Sequence, residues 1–197
     1  PGQTLEQQVS KQTYSLLQQK VSELGLQVEI FNQFKPWLCA LTLTSMELQR
    51  LGFNPNYGID MHFFDRAKQD GKEMRFLETT DDQLGLFTAM SKQEEDSFLA
   101  KVLEELDTMR VKIIEMINAW KSGDSDKLAS MVKMEFEGYP EVYAKMLVER
   151  NQKWVKHIED LSGQDGNSLV VVGAAHLVGD DSILKLLKKK GFEVEQR

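Results

Sequence analysis

The sequence has little of several features that would define its function. Cys39 is the only cysteine among 197 residues, so no internal disulfide can form, and its apolar surroundings predict a small buried hydrophobe. No apolar stretch approaches the ~20 residues of a membrane-spanning helix. Lysine and arginine (24) are outnumbered by aspartate and glutamate (31). The resulting net charge of −7 argues against a partner bound through nucleic-acid phosphates.

The short motifs of several enzyme classes are also missing. The sequence contains no H-E-x-x-H zinc-protease motif, no P-loop, no dinucleotide-binding glycine fingerprint and no G-x-S-x-G nucleophile elbow. No charged, apolar-centred leader precedes Pro1. We therefore expect either that a leader has been removed or that the chain begins inside a longer protein.

Most of the sequence has the periodicity of α-helices. Up to about residue 165, apolar residues recur every three or four positions, and the stripe from about Glu94 to Trp120 predicts one long helix. The segment Thr80-Asp-Asp-Gln83 matches a capping box and predicts a helix start. Pro140 suits the first turn of a helix that continues to Leu161. A short apolar run near residues 73–78, bounded by turn signals, predicts a strand.

The C-terminal segment, about 168–196, predicts a βαβ unit. Leu169 to Val172 is continuously apolar, as is typical of a strand buried on both faces. A helix from about Asp181 to Lys190 and a strand at Phe192 to Glu195 follow, and the connection is long enough for a right-handed parallel crossover. We therefore expect a single helix-rich α/β domain over residues 1–197, with a small mixed or parallel sheet and a large helical insertion.

His176 ends the segment Gly173-Ala-Ala-His176, directly after the predicted strand. In open α/β sheets ligands bind at the carboxyl ends of strands, so this imidazole lies where the active site of such a fold is usually found. The glycine and alanines before it leave space for a backbone or a ligand. The other histidines are weaker candidates, since we expect His62 at the surface or partly buried and His157 at the surface.

Arg150 and Asn151 interrupt the apolar stripe of the helix that begins at Pro140. Each lies three or four positions from both Leu147 and Trp154, so at least one of them must point toward the core. A buried guanidinium needs a carboxylate or an anionic ligand. Arg150 therefore belongs either to a structural salt bridge or to a binding site.

Glu78 lies at the end of the predicted strand near residues 73–78, a position like that of His176. A carboxylate there can bind a metal, act as a general base, pair with Arg150 or simply stabilise the start of the next helix. If the two strands are parallel neighbours, Glu78 and His176 share one edge of the sheet. One histidine and one carboxylate still fall short of the three protein ligands of a usual catalytic zinc.

Together these residues resemble the TraB/PrgY/GumN family, which is related to the Tiki proteins. The resemblance is carried by Arg150-Asn-Gln-Lys-Trp154, Gly173-Ala-Ala-His-Leu177, Leu77-Glu-Thr79, Lys35-Pro-Trp37 and Gly58-Ile-Asp60, and it covers nearly the whole chain. The family implies a G-x-x-H motif in each half of the domain. Only the second is present here, which predicts a domain fragment truncated at its N-terminus.

Tiki members are metal-dependent proteases, so the resemblance implies a peptidase-like hydrolase. Those members are thought to use their histidines with a glutamate, so we predict Glu78, Arg150, Asn151 and His176 as catalytic residues, with His176 and Glu78 as ligands of a divalent metal ion such as manganese, cobalt or zinc. In that assignment Arg150 stabilises an anionic intermediate, and Asn151 orients a neighbour or donates to an oxyanion. We expect this chain to be an incomplete, inactive fragment. Family members with export signals imply a periplasmic or envelope location.

Two further functions stay open. TraB and PrgY members are described as sequestering or blocking a peptide pheromone, so the resemblance also allows a non-catalytic binder of peptides or small molecules. Such a binder keeps its affinity for peptide after chelation of metal and after His176→Ala. The stripe from Glu94 to Trp120 also suits a structural module that forms homo-oligomers.

Overall fold

The structure, a computed structural model, describes residues 2–196 and consists of helices joined by short turns and a few irregular segments. None of the helices in this range has the length and apolar character that crossing a bilayer requires. The α-helices are α1 (Leu5–Gln8), α2 (Lys11–Glu23), α3 (Pro36–Arg50), α4 (Ile59–Gln69), α5 (Thr80–Thr88), α6 (Lys92–Glu105), α7 (Met109–Ser122), α8 (Ser125–Glu135), α9 (Pro140–Tyr143), α10 (Glu149–Ser162) and α11 (Ile183–Lys189).

No strand is present among residues 2–196, so the predicted α/β fold with a mixed or parallel sheet is wrong. The segments predicted as strands, 73–78, 169–172 and 192–195, have no regular secondary structure. A strand needs a neighbour that shares its backbone hydrogen bonds, and none of these segments makes such a bond to another of them. The predicted βαβ unit at 168–196 is instead helix α11 flanked by two irregular segments.

These irregular segments nevertheless bury apolar side chains against the same core. That core consists of Trp154 and Val155 on α10 and Ile183 and Leu187 on α11. The side chains that pack against it include Leu77, Val172, Phe192 and Val194. Each apolar run thus places one or two side chains against the core, although the runs form no sheet.

The chain divides into two compact units. The first consists of residues 1–56 and 80–112, and in it α6 packs against α2 and α3. Its core contains the buried Cys39, whose thiol pKa is raised to about 12 by burial, as expected for a structural cysteine. The second unit consists of residues 57–79 and 113–197, and in it α10 packs against α11. All the candidate site residues belong to the second unit.

Helix starts are predicted more accurately than helix lengths. Helix α5 begins at Thr80 and α9 begins at Pro140, as expected. The single long helix predicted from Glu94 to Trp120 is wrong, because the chain turns between α6 and α7. At this turn Asp107 accepts a 2.6 Å hydrogen bond from the buried Lys20, and the Thr108 hydroxyl donates to a backbone carbonyl. A hydroxyl that bonds to a nearby backbone carbonyl, as that of Thr108 does, competes with the backbone bonds of a helix.

Candidate functional site

The site is built on one helical segment that contains a π-helical turn. Helix α9 continues through the turn Ala144–Val148 into α10, and the Glu149 backbone N–H donates to the Ala144 carbonyl, five residues back. Hydrogen bonds to the fifth preceding residue widen the helix locally and often mark functional sites. The turn lies immediately before Arg150 and Asn151.

Arg150 forms a two-point ion pair with Glu78. Its Nε donates to Glu78 Oε1 at 2.8 Å and its Nη2 donates to Glu78 Oε2 at 2.9 Å. A third donor, Nη1, bonds to the Met146 carbonyl in the π-helical turn at 2.9 Å. The Glu78 side chain is 5% exposed and that of Arg150 is 20% exposed. Of the roles considered for Glu78, pairing with Arg150 is therefore the one that the geometry displays.

Asn151 and His176 form the second pair of the site. His176 Nδ1 lies 2.6 Å from Asn151 Oδ1, and Asn151 Nδ2 donates to the Asp181 backbone carbonyl at 2.8 Å. Both side chains are buried, and Asn151 is 1% exposed. The prediction that at least one of Arg150 and Asn151 points into the core is confirmed.

This geometry determines which nitrogen of His176 carries the proton. The Asp181 carbonyl can only accept, so the Asn151 amide must present its NH2 group there and its oxygen to His176. An amide oxygen in turn can only accept, so the proton of the neutral imidazole lies on Nδ1. Nε2 therefore carries the lone pair, which is free to accept a proton or to bind a metal.

His176 is neutral at physiological pH. Burial is the main reason that its pKa falls from the ordinary 6.5 to about 4. The Arg150 charge lowers the pKa further, whereas Glu78 acts in the opposite direction. Within residues 2–196 the only buried side-chain nitrogen or oxygen without a partner is Trp154 Nε1. His176 Nε2, which has no partner either, must therefore keep some exposure.

The lowered pKa of His176 predicts a pH-dependent stability. Between pH 6.5 and pH 4 the unfolded chain binds a proton at this histidine and the folded chain does not. Stability must therefore fall as the pH drops through this window, by up to about 3 kcal/mol. Urea denaturation of the metal-free protein at pH 7 and pH 4.5 measures the loss. We expect this loss of stability to be smaller in His176→Gln and unchanged in His157→Gln, the exposed control. Equal losses in the wild type and both variants would contradict the lowered pKa of His176.

Trp154 links the two pairs. The guanidinium carbon of Arg150 lies 4.7 Å from the centroid of its ring, a cation–π distance. The His176 ring lies 4.4 Å from the same side chain, centroid to centroid, and is tilted by 45°. Glu78, Arg150, Asn151 and His176, which the sequence singled out separately, thus belong to one cluster around one indole.

Two residues of this cluster were not recognised from the sequence. The Tyr143 hydroxyl donates to Asp181 Oδ2 at 3.0 Å, and the backbone carbonyl of the same Asp181 is the partner of Asn151. Tyr143 belongs to the apolar stripe of its helix, in which Tyr143, Leu147 and Asn151 follow one another at intervals of four. A tyrosine in such a stripe is usually a packing residue, so its spacing does not single out a hydrogen-bonding role.

The Gly173-Ala-Ala-His176 motif forms a single tight turn. Residues Ala174–His176 are 3-10 helical, and the His176 backbone N–H donates to the Gly173 carbonyl at 2.9 Å. A Cβ on Gly173 would meet only His176 Cδ2, at an ordinary contact distance of 3.8 Å. Among the described residues, a larger side chain such as that of alanine would therefore fit at position 173 without a clash.

Comparison with known proteins assigns the family. The TraB/PrgY/gumN family profile matches residues 1–196. The chain belongs to this family. The resemblance read from Arg150-Asn-Gln-Lys-Trp154 and Gly173-Ala-Ala-His-Leu177 is thereby confirmed. Both motifs contribute side chains to the cluster described above, namely Arg150, Asn151, Trp154 and His176.

Curated relatives of this family member carry no described activity. The chain is 25% identical over 189 residues to the uncharacterized protein YbaP of Escherichia coli strain K12, an alignment that covers 94% of the chain and 69% of YbaP. The YbaP of Shigella flexneri matches to the same extent. No solved structure shows a significant match.

Proposed function

We propose that this protein is a metal-dependent hydrolase of the peptidase type, in which His176 contributes one metal ligand through Nε2. The observation that carries the proposal is the Nδ1–H bond to Asn151. Histidines that bind metals almost always donate the other ring N–H to an oxygen, which fixes the tautomer and the direction of the lone pair. The depressed pKa adds support, because a metal binds the neutral imidazole.

The donor set of this chain fits a metal only in part. His176 has a lone pair on Nε2, and its Nδ1–H donates to Asn151, as is usual for a histidine that binds a metal. Both oxygens of Glu78, in contrast, accept hydrogen bonds from Arg150. Within the described residues, no three His, Cys, Asp or Glu side chains lie together as a metal site would need. We therefore propose His176 alone as this chain's ligand and derive no reaction step through the ion. A bound divalent ion would polarise a carbonyl and activate water.

Arg150 would stabilise negative charge that develops on the substrate. A guanidinium has five N–H donors, and three of those of Arg150 are bonded to Glu78 and to Met146. The remaining two are free to donate to an oxyanion. In this proposal Glu78 holds the guanidinium in place, and Asn151 holds the imidazole.

Metal titration tests the proposal. The protein expressed from its complete reading frame is titrated calorimetrically with Mn²⁺, Co²⁺ and Zn²⁺. We expect one site that His176→Ala weakens by more than the roughly 10–100-fold cost of losing a supporting residue. The matched control is His157→Ala, which removes an exposed histidine of α10 and should bind as the wild type does. Absence of divalent binding, or equal loss in the two variants, would overturn the proposal.

The engagement of both Glu78 oxygens favours a second candidate, a non-catalytic peptide-binding protein. Such a protein needs the ion pair for shape and charge and does not need a free carboxylate. Its affinity for peptide would survive both EDTA and His176→Ala, whereas a metal-dependent peptidase would lose peptide hydrolysis under either condition. The family resemblance also supports a periplasmic or envelope location, which cell fractionation tests.

A further inference from the structure

Asp181 is held at two points by one helical segment. Its carboxylate accepts a hydrogen bond from the Tyr143 hydroxyl at 3.0 Å, and its backbone carbonyl accepts one from Asn151 Nδ2 at 2.8 Å. The next residue, Ser182, is 2% exposed and caps α11 by accepting from the Lys185 backbone N–H. The segment before α11 is therefore fixed at Asp181, which orients Asn151, and at Ser182, which follows it.

The π-helical turn makes this double contact possible. Tyr143 and Asn151 are eight positions apart, and in a regular α-helix of 3.6 residues per turn their directions would differ by about 80°. The turn Ala144–Val148 lies between them and takes up about one additional residue. Eight positions then complete roughly two turns, so both side chains reach Asp181 from the same face of the helix.

We propose that Tyr143 and Asp181 are positioning residues for His176, brought into register by the π-helical turn. Tyr143 anchors the Asp181 carboxylate, and the anchored Asp181 carbonyl dictates the orientation of the Asn151 amide. The amide oxygen then holds the proton on His176 Nδ1 and leaves the lone pair on Nε2. The value of this tautomer for catalysis rests on the proposed function; the positioning itself does not.

The surroundings of Tyr143 keep its hydroxyl in the donor role that this chain of contacts needs. Burial raises its pKa to about 12, with additional contributions from Asp181 and Asp180, so the phenol stays protonated. Its ring packs edge-on against Phe136, with centroids 5.5 Å apart and planes at 63°. Removing the hydroxyl while keeping the ring therefore isolates one hydrogen bond.

The test is Tyr143→Phe, with Tyr57→Phe as control, because Tyr57 is 85% exposed and lies in the same unit. Nitrogen-15 NMR of the histidine rings in the metal-free protein reports the tautomer of His176. Hydrogen exchange reports the protection of the Asn151 side-chain amide. We expect Tyr143→Phe to reduce the Nδ1–H fraction and to speed this exchange roughly ten- to a hundredfold, as expected for losing a hydrogen bond to a charged group. The control should leave both unchanged.

A wild-type tautomer and wild-type exchange in a folded Tyr143→Phe would overturn the proposal. Inserting one alanine after Lys145, an exposed residue of the π-helical turn, is the second variant. The extra residue should rotate Tyr143 by about 100° relative to Asn151 and reproduce the changes of Tyr143→Phe while helicity by circular dichroism is retained. Because these readouts need neither metal nor substrate, they can support the positioning role even if metal titration disproves the hydrolase.

Discussion

Glu78→Gln is expected to lower the free energy of unfolding by about 3 kcal/mol. The substitution preserves the shape of the side chain but removes the charge that neutralises Arg150, whose side chain is only 20% exposed. Removing one partner of a buried ion pair typically costs about 3–5 kcal/mol, because the remaining charge is left uncompensated. Because solvent partly reaches Arg150, we expect a loss at the lower end of this range. Urea denaturation at pH 7 measures it.

Glu73→Gln is the matched control. Glu73 also pairs with an arginine, Arg75, at 2.7 Å, but both side chains are about half exposed or more. Exposed pairs contribute little, so this change should stay below about 1 kcal/mol. The double variant Glu78→Gln/Arg150→Met removes both charges and should recover part of the loss. Equal effects of the two Glu→Gln substitutions would contradict a buried pair in solution.

Asn151→Ala should be almost as destabilising, with a loss of about 3 kcal/mol. The amide is 1% exposed and bonds to both His176 Nδ1 and the Asp181 carbonyl. Truncation leaves two buried polar groups without partners, and each such group costs about 1–3 kcal/mol. Chemical denaturation monitored by circular dichroism provides the measurement.

The control for this substitution is Asn167→Ala, at an exposed position in the same unit. Surface substitutions of this kind usually change stability by about 0.5 kcal/mol or less. A loss below about 1 kcal/mol in Asn151→Ala would mean that the two hydrogen bonds do not form in the folded protein. Such a result would also weaken the tautomer assignment for His176.

Local signals in the sequence predict the helices because the information they need is local. Ser10 and Ser91 cap α2 and α6 with their own hydroxyls, and Pro36 begins α3 at a position where its missing N–H costs nothing. The break between α6 and α7 was missed because the apolar spacing continues across it, whereas Asp107 at the break bonds to Lys20, 87 positions away. Tertiary contacts of this kind leave no trace in helical periodicity.

The predicted sheet was wrong for a related reason. Burial of Val172 against the α10–α11 core satisfies the apolar pattern of the run that begins at Leu169, yet burial alone does not create a strand. A strand also needs a backbone partner, and one apolar run does not specify its partner. Leu169 itself is 69% exposed, so this run does not have the two buried faces that its composition suggested.

The sequence predicted the four residues of the candidate site, but not most of the hydrogen bonds that connect them. Arg150 needed a carboxylate, and Glu78 had been named as one option, although 72 positions separate the pair. The bond between Asn151 and His176 agrees with the expectation that the amide orients a neighbour. Tyr143 was missed because its ring fits the apolar stripe of its helix, and Asp181 was missed because its two partners lie 30 and 38 positions away in the sequence.

The position of Trp154 gives the candidate site an optical signal of its own. This indole is buried, its N–H has no hydrogen-bond partner among the described residues, and it lies against both Arg150 and His176. An indole in such surroundings emits at shorter wavelength than a hydrated one such as Trp120, which is 50% exposed. The blue edge of the intrinsic fluorescence, to which the partly buried Trp37 also contributes, should therefore change on ligand binding or protonation at His176, and Trp37→Phe isolates that change without any added label.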